Sequence, residues 1–337
     1  MNSLQIFSTR RSKGFFLAGL GVALTAALVV SLLIGSVKAD PRDIFAALLG
    51  RDRESTTARI ILYSRLPRTC AALLAGAALA VSGMVIQTVL NNPLASPSVI
   101  GVNSSAGFAV ALVCALFPTM QKHTPLIAFI GALAGVLLVM VLAQSTVAAR
   151  ITVVLAGVAI SNLFNAGIDA VVTLVPDALN SVTDFRIGGF TGVTMSQLAA
   201  PARIIAVSLV LLLTLSHQLD ILSLGTDTAK SLGLAVGRMR IVFLILAAAL
   251  AGAAVSFAGL LGFIGLIVPH IMRRLAGEDS GILLAATALG GAFFMVLCDL
   301  VARVLFSPFE IPVGIVLSFA GAPFFLWLLF RQRGGRV

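Results

Sequence analysis

The sequence predicts an all-α polytopic membrane protein with ten transmembrane helices in two inverted five-helix halves. The first supporting observation is composition: 59% of the 337 residues are hydrophobic and 11% are charged, which leaves more apolar surface than one soluble core can bury. The second is a series of uninterrupted apolar runs of about twenty residues, the length that a helix needs to span a bilayer. The third is an internal repeat at a fixed offset.

Read in order, the apolar runs predict nine clear spans. They lie near 16–36, 67–90, 95–117, 125–147, 151–174, 198–218, 241–260, 283–305 and 312–330. As one straight helix, the sequence from Ile241 to Met272 would extend about 48 Å, too far for a hydrocarbon core of about 30 Å. Glycine and proline must therefore break it, and a short tenth segment is predicted near 262–275.

The repeat consists of seven residues that recur 176 positions later in the chain. Gly76, Ala77, Ala78, Gly83, Leu90, Pro93 and Gly101 recur as Gly252, Ala253, Ala254, Gly259, Leu266, Pro269 and Gly277. Broken hydrophobic segments at corresponding places in two halves are typical of transporters whose pathway lies between the repeats. Chance alignment of small residues in a chain rich in glycine and alanine is the alternative.

Each half is predicted to contain structural breaks, at Gly83 and Pro93 in the first and at Gly259 and Pro269 in the second. Because each half has an odd number of spans, the two halves must face opposite ways through the membrane. We expect a single transmembrane domain over 1–337, with halves at about 60–175 and 236–335 and a connection at 219–240.

The distribution of basic residues favours a cytoplasmic location for both termini and for 219–240. The opposite face carries the connection from Lys38 to Arg68, which is also basic, so an inverted topology stays open. Within that connection, Asp40 to Gly50 predicts a short surface helix. The apolar run Phe15 to Ile34 is longer than an ordinary signal-peptide core, which favours an uncleaved first span.

Several classes of protein are disfavoured by the residues present. The net charge is +10, but the basic residues are dispersed over connections, which argues against nucleic-acid binding. Three cysteines and three histidines lie far apart, without the spacing of a metal site. No cluster of nucleophile and base indicates an enzyme. We therefore expect no catalytic residues, no cofactor and no resident metal.

A polar line on the fifth predicted span is the best candidate for a translocation pathway. Ser161, Asn165 and Asp169 are spaced by four residues, and Asn162 lies beside them, so they share one helical face. Polar groups at membrane depth usually face a bundle interior or a water-filled cavity. Hydrogen bonding between helices is an equally weighted explanation.

Two further groups lie at opposite faces of the predicted bundle. In 219–240, Thr226 or Asp227 can cap a short helix that Gly233 ends. The sequence has no phosphate-cradling G-x-x-x-x-G-K-[ST] motif, so transport driven by ATP would need a separate ATPase subunit. On the other face, Arg65, Arg68 and Arg303 stand at the mouths of spans, where interfacial snorkelling is the simpler explanation.

Five segments resemble the permease subunits of ABC importers for iron-siderophore, haem and cobalamin, the cobalamin-permease-like type II importers. They are RLPRTCAALLAGAALAVSGMVIQTVLNNPLASPSVIGVNSSAG, LAGVAIS, LSLGTDTAKSLGL, GFIGLIVPHIMRRLAG and DLVARVLFSPFEIPVGIVLSFAGAPFFLWLL. The similarity covers about residues 59 to 335. It implies a multi-pass subunit of the bacterial inner membrane, paired with a second permease in a homodimer or heterodimer. Two cytosolic ATP-binding cassette subunits and a periplasmic or lipid-anchored substrate-binding protein complete the implied assembly.

The resemblance also assigns roles to residues at matching positions. It implies that Arg65, Arg68 and Arg303 pair with acidic groups on the binding protein. It implies that the connection at 219–240 is a coupling region, in which the ATPase-coupling helix is matched by Thr226, Asp227, Thr228, Ala229, Lys230 and Gly233. The helix that lines the pathway is matched by Ser161, Asn162 and Asn165, with Asp169 on the same face. Phe185 departs from the family, in which many members have Trp, so the entrance is expected to have a different shape.

The function expected from this resemblance is a permease subunit that forms the pathway for an iron-siderophore complex. A haem or cobalamin importer permease of the same family is the alternative. A secondary transporter coupled to ions would also fit an inverted repeat. It would need an ionisable site in its core, where the sequence offers Asp169 and Asp299, both toward the outer ends of spans.

Overall fold

A computed structural model describes residues 10–35, 55–144, 149–307 and 309–333. All regular structure in these ranges is helical, which confirms the predicted fold class at that level. The α-helices are α1 (Arg10–Leu33), α2 (Thr56–Leu90, with a π-helical turn at Ile61–Arg65), α3 (Val102–Leu116), α4 (Thr124–Gln144), α5 (Ala149–Leu174), α6 (Leu179–Ile187), α7 (Met195–Thr214), α8 (Ser216–Ser223), α9 (Thr226–Ser231), α10 (Val236–Ala258), α11 (Ile264–Ala276), α12 (Ser280–Val304) and α13 (Val313–Arg333). The predicted surface helix at 40–50 lies outside the described residues.

Seven of these helices are long and apolar enough to cross a membrane. They are α1, α2, α4, α5, α7, α10 and α12. Two shorter apolar helices are α3 and, in α13, the segment Val313–Trp327. The predicted short segment at 262–275 corresponds to α11. The described helices therefore contain seven long candidates for membrane spans and two shorter apolar helices.

The core of the bundle is formed by α2, α10 and α12, whereas α1, α4, α5 and α7 keep much of their surface exposed. Helix α2 packs against α10, α11 and α12. Backbones approach closely at these contacts: a Cβ on Gly76 would lie 2.3 Å from the Gly291 carbonyl oxygen. Small residues at such positions let helices pack tightly where lipid offers no hydrophobic drive for association.

Two non-helical segments interrupt the buried helices. The first runs from Asn91, in a left-handed conformation with φ of 46°, to Gly101, with φ of 85°. The predicted span at 95–117 is therefore wrong at its start, because α3 begins after the left-handed Gly101. The second segment lies between Gly259, with φ of 69°, and Phe263, with φ of 63°. It separates α10 from α11.

The predicted breaks divide into two groups. Pro93 and Gly259 lie in the two non-helical segments, whereas Gly83 and Pro269 lie inside helices, so their prediction as breaks is wrong. A Cβ on Gly83 would lie 2.0 Å from the Gly265 carbonyl oxygen, so this glycine allows α2 and α11 to touch. Pro269 cannot donate to Gly265, four residues earlier. The Gln87 amide donates to that carbonyl instead, at 2.9 Å.

Candidate functional site

An arginine cluster joins one end of α2 to one end of α12. We define it as Arg65, Arg68, Asp299, Arg303 and Glu310. Arg68 Nε donates to Asp299 Oδ1 at 2.9 Å, and its Nη1 donates to Glu310. Arg303 Nε lies 3.1 Å from Asp299 Oδ2 as an ion pair. The three arginines are 5%, 7% and 2% exposed and Asp299 is fully buried, so two carboxylates partly compensate three buried guanidinium charges.

The same cluster holds the end of α1. Arg65 Nη1 donates to the carbonyl oxygens of Leu32 and Leu33, at 2.8 and 3.1 Å. Arg303 donates to the Ser31 carbonyl at 3.1 Å and to its hydroxyl at 2.5 Å. The last carbonyls of a helix lack intrahelical partners and carry the negative end of its dipole. The guanidinium groups therefore cap α1.

The three arginines were singled out from the sequence, but their partners were not. Asp299 was considered as a candidate coupling site, and Glu310 was not considered. Their pairing with Arg68 spans more than two hundred residues, so no local pattern reveals it. The sequence does place opposite charges at the predicted ends of spans on one face of the membrane. It does not show which of these charges pair with each other.

The coupling region folds as a short helix with an exposed surface. Gly225, with φ of 103°, holds the N-cap position of helix α9, so the prediction of Thr226 or Asp227 as the cap is wrong. A glycine in this conformation provides the turn without steric strain. Gly233, with φ of 82°, follows the end of the helix. Ala229 is fully buried and fixes α9 to the bundle.

The outward surface of α9 combines polar and apolar side chains. Asp227, Thr228 and Lys230 are exposed. Leu224 and Leu232, which flank the helix, are 60% and 58% exposed. The sequence analysis did not identify these two leucines. Together the five residues form an amphipathic projection of the kind that a protein partner can cover.

The candidate pathway residues on α5 fall in different environments. Asn162 and Asp169 are exposed, and Asn165 is half-buried. Ser161 Oγ is buried without a hydrogen-bond partner. Asp169 Oδ1 accepts from Arg186 Nη1 of α6 at 3.0 Å, and both side chains are largely exposed. Arg186 was missed because it lies in the next helix.

Helix α6 sits against the break between α10 and α11. The Phe185 carbonyl accepts from the Leu260 amide at 2.9 Å, and Gly189 N donates to the Ala258 carbonyl at 2.8 Å. Phe185 also lines a cavity of about 290 Å³ beside Gly259. Phe185, where the sequence resemblance leads us to expect Trp, therefore lies where α6 contacts the break between α10 and α11.

Among the described residues, no group of three or more His, Cys, Asp or Glu side chains is arranged to hold a metal ion. The three cysteines carry free thiols. The candidate functional surfaces among the described residues are the arginine cluster, the α9 projection and the polar face of α5.

Comparison with known proteins identifies the family. The model of the FecCD transport family matches residues 23–331. The chain belongs to the FecCD transport family. Its relatives include the Fe(3+)-citrate import system permease protein YfmE of Bacillus subtilis, 36% identical over 96% of this chain and 97% of that protein. The hemin transport system permease protein HmuU of Yersinia pestis is 36% identical over 92% of this chain and 95% of that protein.

A solved structure of the same type has a similar fold. It is described as an inward-facing conformation of a metal-chelate type ABC transporter. The match has a TM-score of 0.84 and 30% sequence identity, and covers 94% of this chain and 99% of that one. As a FecCD family member with several apolar membrane-spanning helices, the chain is a multi-pass protein of the bacterial inner membrane and a permease subunit of an ABC importer.

Proposed function

We propose that this permease forms the translocation pathway for a ferric chelate of the iron-siderophore type, delivered by a substrate-binding protein. The observation that carries the proposal is the match to iron-chelate permeases over nearly the whole chain. Haem is the alternative cargo, favoured by the similarity to a hemin permease. Cobalamin is a further alternative cargo, which the sequence resemblance includes.

Ten crossings in two inverted halves are the proposed topology, with both termini cytoplasmic. Packing supports the inversion: α2 packs on α12 through Gly76, and α10 packs on α4 through Gly252. Gly101 and Gly277, which also correspond in the repeat, both have a positive φ, of 85° and 89°. Each half thus buries its repeated glycine against a late helix of the other half.

The pathway is proposed to lie along α5 at the axis of a permease dimer. Exposed Asn162 and Asp169 are costly in contact with lipid, because polar groups in a span usually face an interior or water. A second permease copy placed against this face would enclose them. The mass of the assembled complex tests whether that copy is the same chain.

Coupling to two cytosolic ATPase subunits is proposed to occur through α9. Its exposed polar residues and the flanking Leu224 and Leu232 support this role, since a short helix held at both ends by glycine turns can seat in a cleft of a partner. A rigid projection converts ATPase closure into movement of the spans.

Docking of the binding protein is proposed at the arginine cluster, which has three guanidinium groups and two carboxylates. The excess positive charge supports an acidic partner. In the structure all three arginines are engaged within the chain, so an acidic partner must compete with Glu310, the partly exposed carboxylate, for Arg68. Direct pairing of Arg65 and Arg303 with the binding protein, which the resemblance also implies, would require them to leave the α1 carbonyl groups that they bind.

The test is uptake by proteoliposomes that contain the chain, its ATPase and its binding protein. We expect ATP-dependent accumulation of radioactive iron supplied as ferric citrate or as hemin, and no accumulation with ADP. Mass measurement of the complex gives the permease copy number. Equal uptake without ATP, driven by an ion gradient, would overturn the importer assignment and favour a secondary transporter. Preference for hemin would assign the alternative cargo.

A further inference from the structure

We propose that Asp220 is a positioning residue that ties the coupling region to α12, so that movement of α9 displaces the far end of α12. The inference rests on the proposed function of α9. Asp220 lies in α8, and its Oδ1 accepts a hydrogen bond from the backbone N–H of Ser280 at 2.8 Å. Ser280 is the first residue of α12 and is 2% exposed.

Helix α8 is well placed to move with α9. Only Leu224 and Gly225 separate the two helices along the chain, and they also pack against each other. Leu219 and Leu222 are buried in the main hydrophobic core, where α8 packs on both α12 and α2. A displacement of α9 therefore reaches α8 through a short, packed connection.

Helix α12 can carry this displacement across the bundle. Its 25 residues give a length of about 38 Å at 1.5 Å per residue. The helix contains no proline, and Asp279 caps its first turn by accepting from the Ile282 amide at 3.1 Å. At its middle, Gly291 lies in close backbone contact with Gly76 of α2. An unbroken helix packed in this way moves as a rigid body rather than bending.

The far end of α12 belongs to the arginine cluster. Asp299 contacts Arg68 of α2, and Arg303 contacts Ser31 of α1. A shift of Ser280 along or about the helix axis would therefore move both contacts. One helix links the surface proposed for the ATPase to the surface proposed for the binding protein.

The second connection from α9 leads elsewhere. Residues 232–235 lead from α9 into α10, which ends at the break beginning with Gly259. The arginine cluster contains no residue of α10, so a displacement of α10 can reach it only indirectly, through the packing of α10 against α2. The Asp220–Ser280 hydrogen bond is therefore the contact that we assign to coupling the two faces.

The test measures the movement of the far face directly and needs no cargo. In the chain assembled with its ATPase, spin labels at Leu305→Cys and Leu174→Cys report the distance between the ends of α12 and α5, with the three native cysteines replaced by serine. We expect ATP to change this distance in the otherwise unmodified protein. Asp220→Ala should reduce the shift at least about fivefold while ATP hydrolysis continues. Asp220→Asn, which keeps an acceptor oxygen, should restore most of it.

Two controls separate coupling from stability. Asp279→Ala removes the cap of α12 but leaves the Asp220–Ser280 hydrogen bond, so the distance change should persist. Asp177→Ala removes an exposed carboxylate in the turn after α5 and should have no effect. A full ATP-driven distance change in Asp220→Ala would overturn the inference alone. Absence of any change in the unmodified protein bound to active ATPase would overturn the proposed coupling function as well.

Discussion

Arginines near the two ends of α2 are held in different ways. At the proposed outer end, Arg68 pairs with the carboxylates of Asp299 and Glu310. At the inner end, Arg273 of α11 donates to neutral acceptors, the Gln87 side-chain oxygen at 2.6 Å and the Thr88 hydroxyl at 3.1 Å. At the outer end carboxylates accept directly from Arg68, whereas the hydrogen bonds of the half-buried Arg273 go to neutral groups and Glu278 interacts with it only electrostatically.

The difference shows what each end can tolerate. Removing a carboxylate from a buried ion network leaves uncompensated cations in a medium of low polarity, which is strongly destabilising. Removing a neutral acceptor leaves a cation with its remaining hydrogen bonds. We therefore expect the outer end to be the more sensitive to single substitutions.

The largest effect is expected for Asp299→Ala. This carboxylate contacts both Arg68 and Arg303, so its loss leaves two buried guanidinium groups short of a counter-charge. We expect the free energy of unfolding to fall by about 3–5 kcal/mol, measured by denaturant titration in detergent. A smaller loss of unfolding free energy for Asp299→Ala than for Gln87→Ala would contradict the expectation that the outer end is the more sensitive.

A smaller effect is expected for Gln87→Ala. Its oxygen accepts from Arg273, and its nitrogen donates to the Gly265 carbonyl that Pro269 leaves without a helical donor. We expect a loss of about 1–3 kcal/mol in the free energy of unfolding. Pro269→Ala supplies an N–H that can reach Gly265, so the double variant should be more stable than the sum of the two single effects predicts.

The same titrations test this pairing as a double-mutant cycle. Additive losses would show that Gln87 does not substitute for the missing helical hydrogen bond. Thr88→Val is the matched control, since it removes a neighbouring acceptor of Arg273 but leaves the Gly265 carbonyl paired.

Composition and apolar runs were enough to predict the helical class and the approximate positions of most long helices. Helix boundaries depended on local backbone geometry: α3 begins later than its apolar run because Gly101 is left-handed. Pro269 shows a second limit. Proline predicts a break only where nothing else satisfies the freed carbonyl, and Gln87 is supplied by a helix far away in the sequence.

The candidate sites were predictable to different degrees. The coupling helix is local, so Thr226, Asp227 and Gly233 predicted its approximate position, while its exposed leucines became evident only from burial. The arginine cluster depends on contacts between distant segments. Because α1, α2 and α12 meet only in three dimensions, the sequence identified Arg65, Arg68 and Arg303 but not the carbonyls and carboxylates that they bind.

The smallest effect on stability is expected for Asp169→Asn, which removes the exposed ion pair with Arg186. Because both side chains are largely exposed, the free energy of unfolding should change by less than about 1 kcal/mol. If α5 lines the pathway, the same variant should alter ATP-driven uptake far more than stability, because it changes the charge that the cargo passes. Leu163→Ala, an apolar change on an exposed part of α5, is the control. Equal uptake by the Asp169→Asn variant and the unmodified protein would place the polar face of α5 outside the pathway.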